Sequence, residues 1–292
     1  MPAYRIIAAA ASLAATLAAA AAPASSATTI LFVGNSFTYG DPAGAAPVVR
    51  EYRPDTVTDL NGTHIGGVPA LFKAMTRQAG LDYEVSLETS PGKGVDWHYE
   101  NRLAAIAKPF DKVVLQSYST LDGAHPGNPA TLIKYAGLLA QAFHDRNPKV
   151  DVRLVATWSR ADQTYKQGGA WYGQPIQKMA LDVRAGYDAA DRASDLIGSV
   201  IPVGQAWNRA FASGLADDNP YDGKVTGINL WAPDAYHGSV YGYYLEALTI
   251  FGNITGRDPR SLGAQDGVAK ELGIDAETAA ALQNIAAQTL DL

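Results

Sequence analysis

Ile30-Leu31-Phe32-Val33-Gly34-Asn35-Ser36-Phe37-Thr38 decides the reading of this chain. Four consecutive apolar residues without alternation are what a strand buried on both faces requires. The run ends abruptly in Gly-Asn-Ser, which puts Ser36 at the carboxyl end of the first strand. In open α/β sheets, ligands collect outside the carboxyl ends of the strands. A serine hydroxyl placed there becomes a nucleophile if a histidine reaches it. Read alone, the same tripeptide also fits a plain turn or a helix N-cap.

Working outward, apolar bursts alternate with helix-length segments. Strands are expected at Tyr83–Leu87, Val113–Leu115, Val152–Thr157 and Val200–Val203, with Pro202 pointing to a sheet edge or strand end. Helices are expected at Ala70–Gln78, Val95–Ala107, Ala130–Arg146, Ile176–Ser194, Gln205–Ala212, Gly238–Phe251 and Glu277–Leu290. In the third of these, Leu132, Tyr135, Leu138, Leu139 and Phe143 recur at helical spacing, and Asn147-Pro148 stops the element. Strands separated by helices imply crossover connections, hence an α/β fold: a mostly parallel five-stranded sheet covered on both faces in a three-layer α/β/α sandwich. Residues 28–292 contain no repeat or composition break and read as one domain, with Gly214–Gly227 as a surface loop.

Residues 1–27 read as an export signal. Arg5 supplies the positive start, Ile6–Ala22 the apolar core, and Ser25-Ser26-Ala27 the small-residue cleavage pattern after Pro23. The expectation is a secreted or periplasmic protein with no membrane insertion after cleavage. A retained anchor is the competing reading, disfavoured by the weak hydrophobicity of alanine. The composition narrows the classes further. With no cysteine, neither a disulfide scaffold nor a thiolate metal site can form. A net charge of −6 without a basic cluster argues against nucleic acid as a partner. Hydrophobic residues at 47% against 18% charged exclude a disordered chain.

A second informative stretch is Pro233-Asp234-Ala235-Tyr236-His237-Gly238-Ser239. Three residues apart, Asp234 can accept from one ring nitrogen of His237, fixing its tautomer, while the other nitrogen takes the serine proton. A capping aspartate beside a surface histidine is the bland alternative. Asp234 and His237 alone supply two metal ligands without a visible partner pair, so no metal is expected.

Together these blocks resemble the SGNH (GDSL-type) hydrolase superfamily, in a branch that begins Gly-Asn-Ser. Gly34-Asn35-Ser36-Phe37 is similar to its first block, with Asn35 where Asp is more usual, and Asp234-Ala235-Tyr236-His237 to its last. The Gly-x-Ser-x-Gly elbow of other lipases is absent at Ser36. The resemblance implies the flavodoxin-like form of the sandwich and a catalytic triad of Ser36, His237 and Asp234. It also implies an oxyanion hole of the Ser36 N–H, a glycine N–H and a side-chain amide. In Ser90-Pro91-Gly92-Lys93-Gly94 the glycine is Gly92, with Gly94 as the alternative. The amide block reads Leu115-Gln116-Ser117, so Gln116 stands where Asn is usual.

The function implied is an exported serine esterase, without cofactor, acting on small-molecule or polysaccharide esters, above all O-acetyl groups on carbohydrate. A lipid or small-ester hydrolase and a non-catalytic carbohydrate-binding protein are the rival readings. Asn35, Trp97, His98 and Trp231 are candidate substrate contacts. For His98 a core role stands equally open. Tyr39, Tyr118, Trp158, Trp171 and Tyr172 add aromatic faces suited to sugar rings, although Trp158 and Trp207 also fit core packing. His64, His125 and His144 read as loop or helix-surface residues.

Overall fold

A computed structural model describes residues 1, 2, 26–41 and 47–292. The expected export segment falls almost entirely outside them. Six strands form one sheet: β1 (Thr28–Gly34), β2 (Thr58–Asp59), β3 (Tyr83–Thr89), β4 (Lys112–Leu115), β5 (Asp151–Val155) and β6 (Ser199–Ile201). Their order is β2-β3-β1-β4-β5-β6 and every pairing is parallel. The expectation of five strands is therefore corrected to six. The addition, β2, is two polar residues on the sheet edge, too short and too exposed to leave an apolar signature.

Eleven helices occur among the described residues: α1 (Ser36–Tyr39), α2 (Pro47–Arg50), α3 (Gly67–Gln78), α4 (Val95–Ile106), α5 (Ala130–His144), α6 (Ala161–Tyr165), α7 (Gln177–Arg192), α8 (Val203–Ala212), α9 (Val240–Thr255), α10 (Gly267–Glu271) and α11 (Ala276–Thr289). The unbroken apolar run of β1 serves two cores, because successive side chains leave opposite faces of a strand. Ile30 and Phe32 pack with residues of α3, α8, α9 and α11, while Leu31 and Val33 pack with α4, α5 and α7. This is the three-layer α/β/α arrangement. No described helix is long and apolar enough to cross a membrane.

Pro202 stops β6, the opposite edge strand, and the chain turns at once into α8 at Val203, two residues before the expected start. The last long crossover ends in Ser239, whose hydroxyl accepts from the N–H groups of Tyr241 and Gly242 and so starts α9. Gly256 closes that helix at a φ of 67°, in the left-handed region that favours glycine. The fold thus aims the carboxyl end of β1, between β3 and β4, at the loop that precedes α9.

Candidate active site

The turn that carries Ser36, the candidate nucleophile, is fixed by residue types. Asn35 is the N-cap of α1, its side-chain oxygen accepting from the Phe37 N–H at 3.1 Å. Its amide nitrogen donates to the Lys93 carbonyl at 2.9 Å and to the Ser117 carbonyl at 3.2 Å. One side chain therefore ties the turn to the loops following β3 and β4. An aspartate there would put an anion against both carbonyls, a physical reason for Asn in this setting. Gly34 admits no side chain, because a Cβ would lie 2.1 Å from Thr38 Oγ1.

His237 arrives from the other end of the chain. Its Nε2 is 2.9 Å from Ser36 Oγ, and its Nδ1 is 2.7 Å from Asp234 Oδ2. Asp234 also accepts through Oδ1 from the N–H groups of Tyr236 and His237, each at 3.0 Å. Burial pushes the Asp234 carboxyl up, but the His237 ring and these two N–H groups outweigh it and hold it below its ordinary value. It stays ionised and aimed at Nδ1. The loop has a left-handed residue, Ala235, at a φ of 56°, and is closed by the Ala232 N–H to the His237 carbonyl at 2.8 Å.

Aromatic packing holds the imidazole in plane. Tyr236 stacks on it at 4.1 Å between centroids, and the Arg160 guanidinium lies over Tyr236 at 3.6 Å. Beneath the turn, Phe37 stacks on Trp158 at 4.3 Å and Trp158 on Trp207 at 4.5 Å. From α9, the buried Tyr243 hydroxyl donates to the Ser36 carbonyl at 3.2 Å.

The loop after β3 is a tight turn. The Lys93 N–H donates to the Ser90 carbonyl at 3.2 Å, with Pro91 and Gly92 between them and Gly92 at a φ of 65°. Pro then Gly is the pair that such a turn demands, and the turn's own bond leaves the Gly92 N–H unused. Gly94 is different: the Tyr118 ring lies where its Cβ would be, 2.3 Å away.

Both ends of the Gln116 amide are engaged by the backbone and side chains around the turn. Its Oε1 accepts from the Asn35 N–H at 3.0 Å and from Thr38 Oγ1 at 3.2 Å, and its Nε2 donates to the Ser117 carbonyl. This orientation is chemically forced, since the Asn35 N–H can only donate and the Ser117 carbonyl can only accept. Gln116 is thus a strut under the turn that carries Ser36, with one of its two amide hydrogens committed to the Ser117 carbonyl.

Three candidate substrate contacts are also corrected. Trp231 is 1% exposed, stacks on Phe211 and donates to the Ser159 carbonyl. It is core. His98 is fully buried, between Glu88 and the Gly34 carbonyl. Asn35 is buried and acts as the cap and tie described above. Trp97 is half-buried, edge-on to His98. Of the other aromatic faces, Tyr39, Trp158 and Trp171 are buried, Tyr118 is half-buried and Tyr172 is exposed.

Two contributors had escaped notice in the sequence. Asp41 places Oδ2 4.0 Å from His237 Nε2 and accepts there from the Tyr39 hydroxyl at 3.1 Å. Tyr243, the Ser36 strut, is one tyrosine among several in α9, and no pattern distinguishes it. Among the described residues no group of three or more His, Asp or Glu side chains could hold a metal ion.

No family model matches the chain, and its sequence matches no curated protein. Solved structures do match. A DUF4886 family protein from Bacteroides uniformis ATCC 8492 superposes with a TM-score of 0.59 at 18% identity, covering 90% of this chain and 94% of that one. A protein from Parabacteroides merdae ATCC 43184 described as a GDSL-like lipase superposes with a TM-score of 0.52, also at 18% identity, covering 79% and 96%. The chain has the α/β/α fold of the SGNH (GDSL-type) hydrolases. At this identity the likeness is one of architecture.

Proposed function

We propose that the protein is a carboxylic ester hydrolase acting through an acyl-enzyme on Ser36. The observation that carries this reading is the continuous chain Asp234 Oδ2, His237 Nδ1, His237 Nε2, Ser36 Oγ, with links of 2.7 and 2.9 Å. In the first half-reaction Ser36 Oγ attacks the ester carbonyl carbon as its proton passes to His237 Nε2. Asp234 holds the resulting imidazolium. The Ser36 and Gly92 N–H groups are the proposed donors to the oxyanion, each worth about 3 kcal/mol in acyl-transfer sites. Collapse breaks the bond to the alcohol oxygen, which takes the proton from Nε2. Water then repeats the cycle on the acyl-enzyme, and the carboxylic acid leaves.

The finer reading is an exported enzyme for O-acetyl groups on carbohydrate, with residues 1–27 as a cleaved signal and 28–292 as the hydrolase domain. Ser36 is 4% and His237 7% exposed. A nucleophile with so little open surface suits a small acyl group better than a long chain laid in an apolar groove. The Ser36→Ala variant tests the catalytic assignment with p-nitrophenyl acetate. Equal rates for variant and wild type would remove it. Comparing acetyl with octanoyl esters, and measuring acetate release from acetylated polysaccharides, tests the substrate class.

A further inference from the structure

A second histidine–carboxylate pair lies behind the nucleophile turn. His98 on α4 and Glu88 near the end of β3 are both fully buried. His98 Nε2 is 2.9 Å from the Gly34 carbonyl oxygen, and its Nδ1 faces Glu88 Oε2. A carbonyl only accepts, so Nε2 carries a hydrogen and donates it, while Nδ1 and Glu88 Oε2 lie within ion-pair reach. The other Glu88 oxygen accepts from Arg102 Nε at 3.0 Å and Asn61 Nδ2 at 3.2 Å.

What this pair holds is informative. Gly34 directly precedes Asn35-Ser36, and its carbonyl also accepts from the Ser90 N–H at 3.0 Å. Ser90 begins the turn that contains Gly92. One carbonyl is thus the point where the nucleophile turn, the Gly92 loop and α4 meet. Asn61 braces the same loop by accepting from the Thr89 N–H at 3.0 Å, and Arg102 donates onward to the Leu60 carbonyl at 3.2 Å. Burying an ion-paired group costs free energy unless its bonds are complete. An apolar core residue would fill this space more cheaply, but it could not fix a carbonyl in place.

We propose that Glu88 and His98 are a positioning pair: through the Gly34 carbonyl they set the distance between the nucleophile turn and the Ser90–Lys93 loop, and so align the Ser36 and Gly92 N–H groups on the oxyanion. This rests on the ester-hydrolase reading of the same site. Displacements of about 1 Å in such a site cost on the order of 100-fold in rate.

Three variants test it. His98→Phe keeps the ring and removes both nitrogens. The double variant Glu88→Gln/His98→Gln replaces the histidine–carboxylate pair by two amides, one of which can donate to the Gly34 carbonyl. Glu88→Gln alone weakens the hold. With p-nitrophenyl acetate, His98→Phe is expected to lower kcat about 10- to 100-fold with KM changed less than about twofold. The double variant is expected to recover most of that loss. A His98→Phe enzyme that loses thermal stability but keeps kcat per folded molecule would overturn the proposal. If His98→Phe does not fold, Glu88→Gln decides, since it should lower kcat and speed amide exchange at Ser90. No change in either quantity would overturn the proposal as well. A wild type that turns over no ester, with Ser90 exchange still responding to Glu88→Gln, would sink the esterase reading and leave the hold on the loop standing.

Discussion

Ser36 Oγ and His237 Nε2 lie 2.9 Å apart although 201 residues separate them in the chain. The sheet brings β1 to its centre, and the loop before α9 returns over the carboxyl end of that strand. Neither residue is strained into place. Ser36 is the first residue of a capped helix, and His237 is held by Asp234, Tyr236 and the backbone of its own loop.

Removing the Ser36 hydroxyl by Ser36→Ala is expected to abolish turnover of p-nitrophenyl acetate to within the background of the oxyanion donors. Asp234→Asn keeps the shape but presents an amide to Nδ1, so the wrong tautomer is favoured and kcat should fall by about 10⁴. Steady-state kinetics on the two variants check this. Retention of more than about a tenth of the wild-type kcat by Asp234→Asn would remove Asp234 from the machinery.

Gln116 separates two roles that the sequence could not. A strut bonded to the Asn35 N–H, Thr38 Oγ1 and the Ser117 carbonyl leaves two buried groups, the Asn35 N–H and the Thr38 hydroxyl, without a partner when it is removed, while the Ser117 carbonyl keeps its bond from the Asn35 amide. Gln116→Leu should therefore lower stability by about 2–4 kcal/mol, at roughly 1–3 kcal/mol for an unsatisfied buried polar group. Denaturant unfolding measures it. An oxyanion donor would behave otherwise, losing kcat at unchanged stability.

Trp231 makes the corresponding prediction on the other side of the site. As a stacked core residue, Trp231→Ala should cost about 3–5 kcal/mol and leave KM of the folded fraction unchanged. A raised KM at unchanged stability would restore Trp231 as a substrate contact.

What the sequence made legible, and what it hid, follows from how each feature is encoded. β1 announced itself because a strand buried on both faces needs an unbroken apolar run. β2 stayed hidden because Thr58-Asp59 pairs on the edge through its backbone, which no side-chain pattern records. The meeting of Ser36, Asp234 and His237 was legible because the proposed chemistry needs those residue types at the ends of elements. Gln116 was located correctly at the carboxyl end of β4, but its orientation depends on the direction of the Asn35 N–H, a backbone property. The reading of His98 stayed open because its partner, Glu88, is ten residues away on another element, and Trp231 looked like a loop aromatic because burial by α8 is a tertiary fact.

Glu246 offers a last test, on stability and its pH dependence. It lies in α9 one turn beyond Tyr243, is 1% exposed, and its Oε2 has no hydrogen-bond partner among the described residues. Burial pushes its carboxyl well above the ordinary value, so the native state keeps this proton where the unfolded chain has released it. The unfolded state then binds fewer protons, and stability falls as pH rises from the ordinary carboxylate range toward the native pKa. The slope from one such group is at most about 1.4 kcal/mol per pH unit. Depressed carboxylates act in the opposite sense. Asp151, which burial pushes up but which Arg153 and Lys112 draw down further, contributes stability that is lost as pH falls. Glu246→Gln keeps the shape and removes the proton equilibrium, so it should be more stable than wild type at pH 7 and lose that advantage as pH falls toward 4. Urea unfolding of both proteins at several pH values measures the gap. A constant difference between them across that range would show that Glu246 ionises in the folded protein much as it does in the unfolded chain.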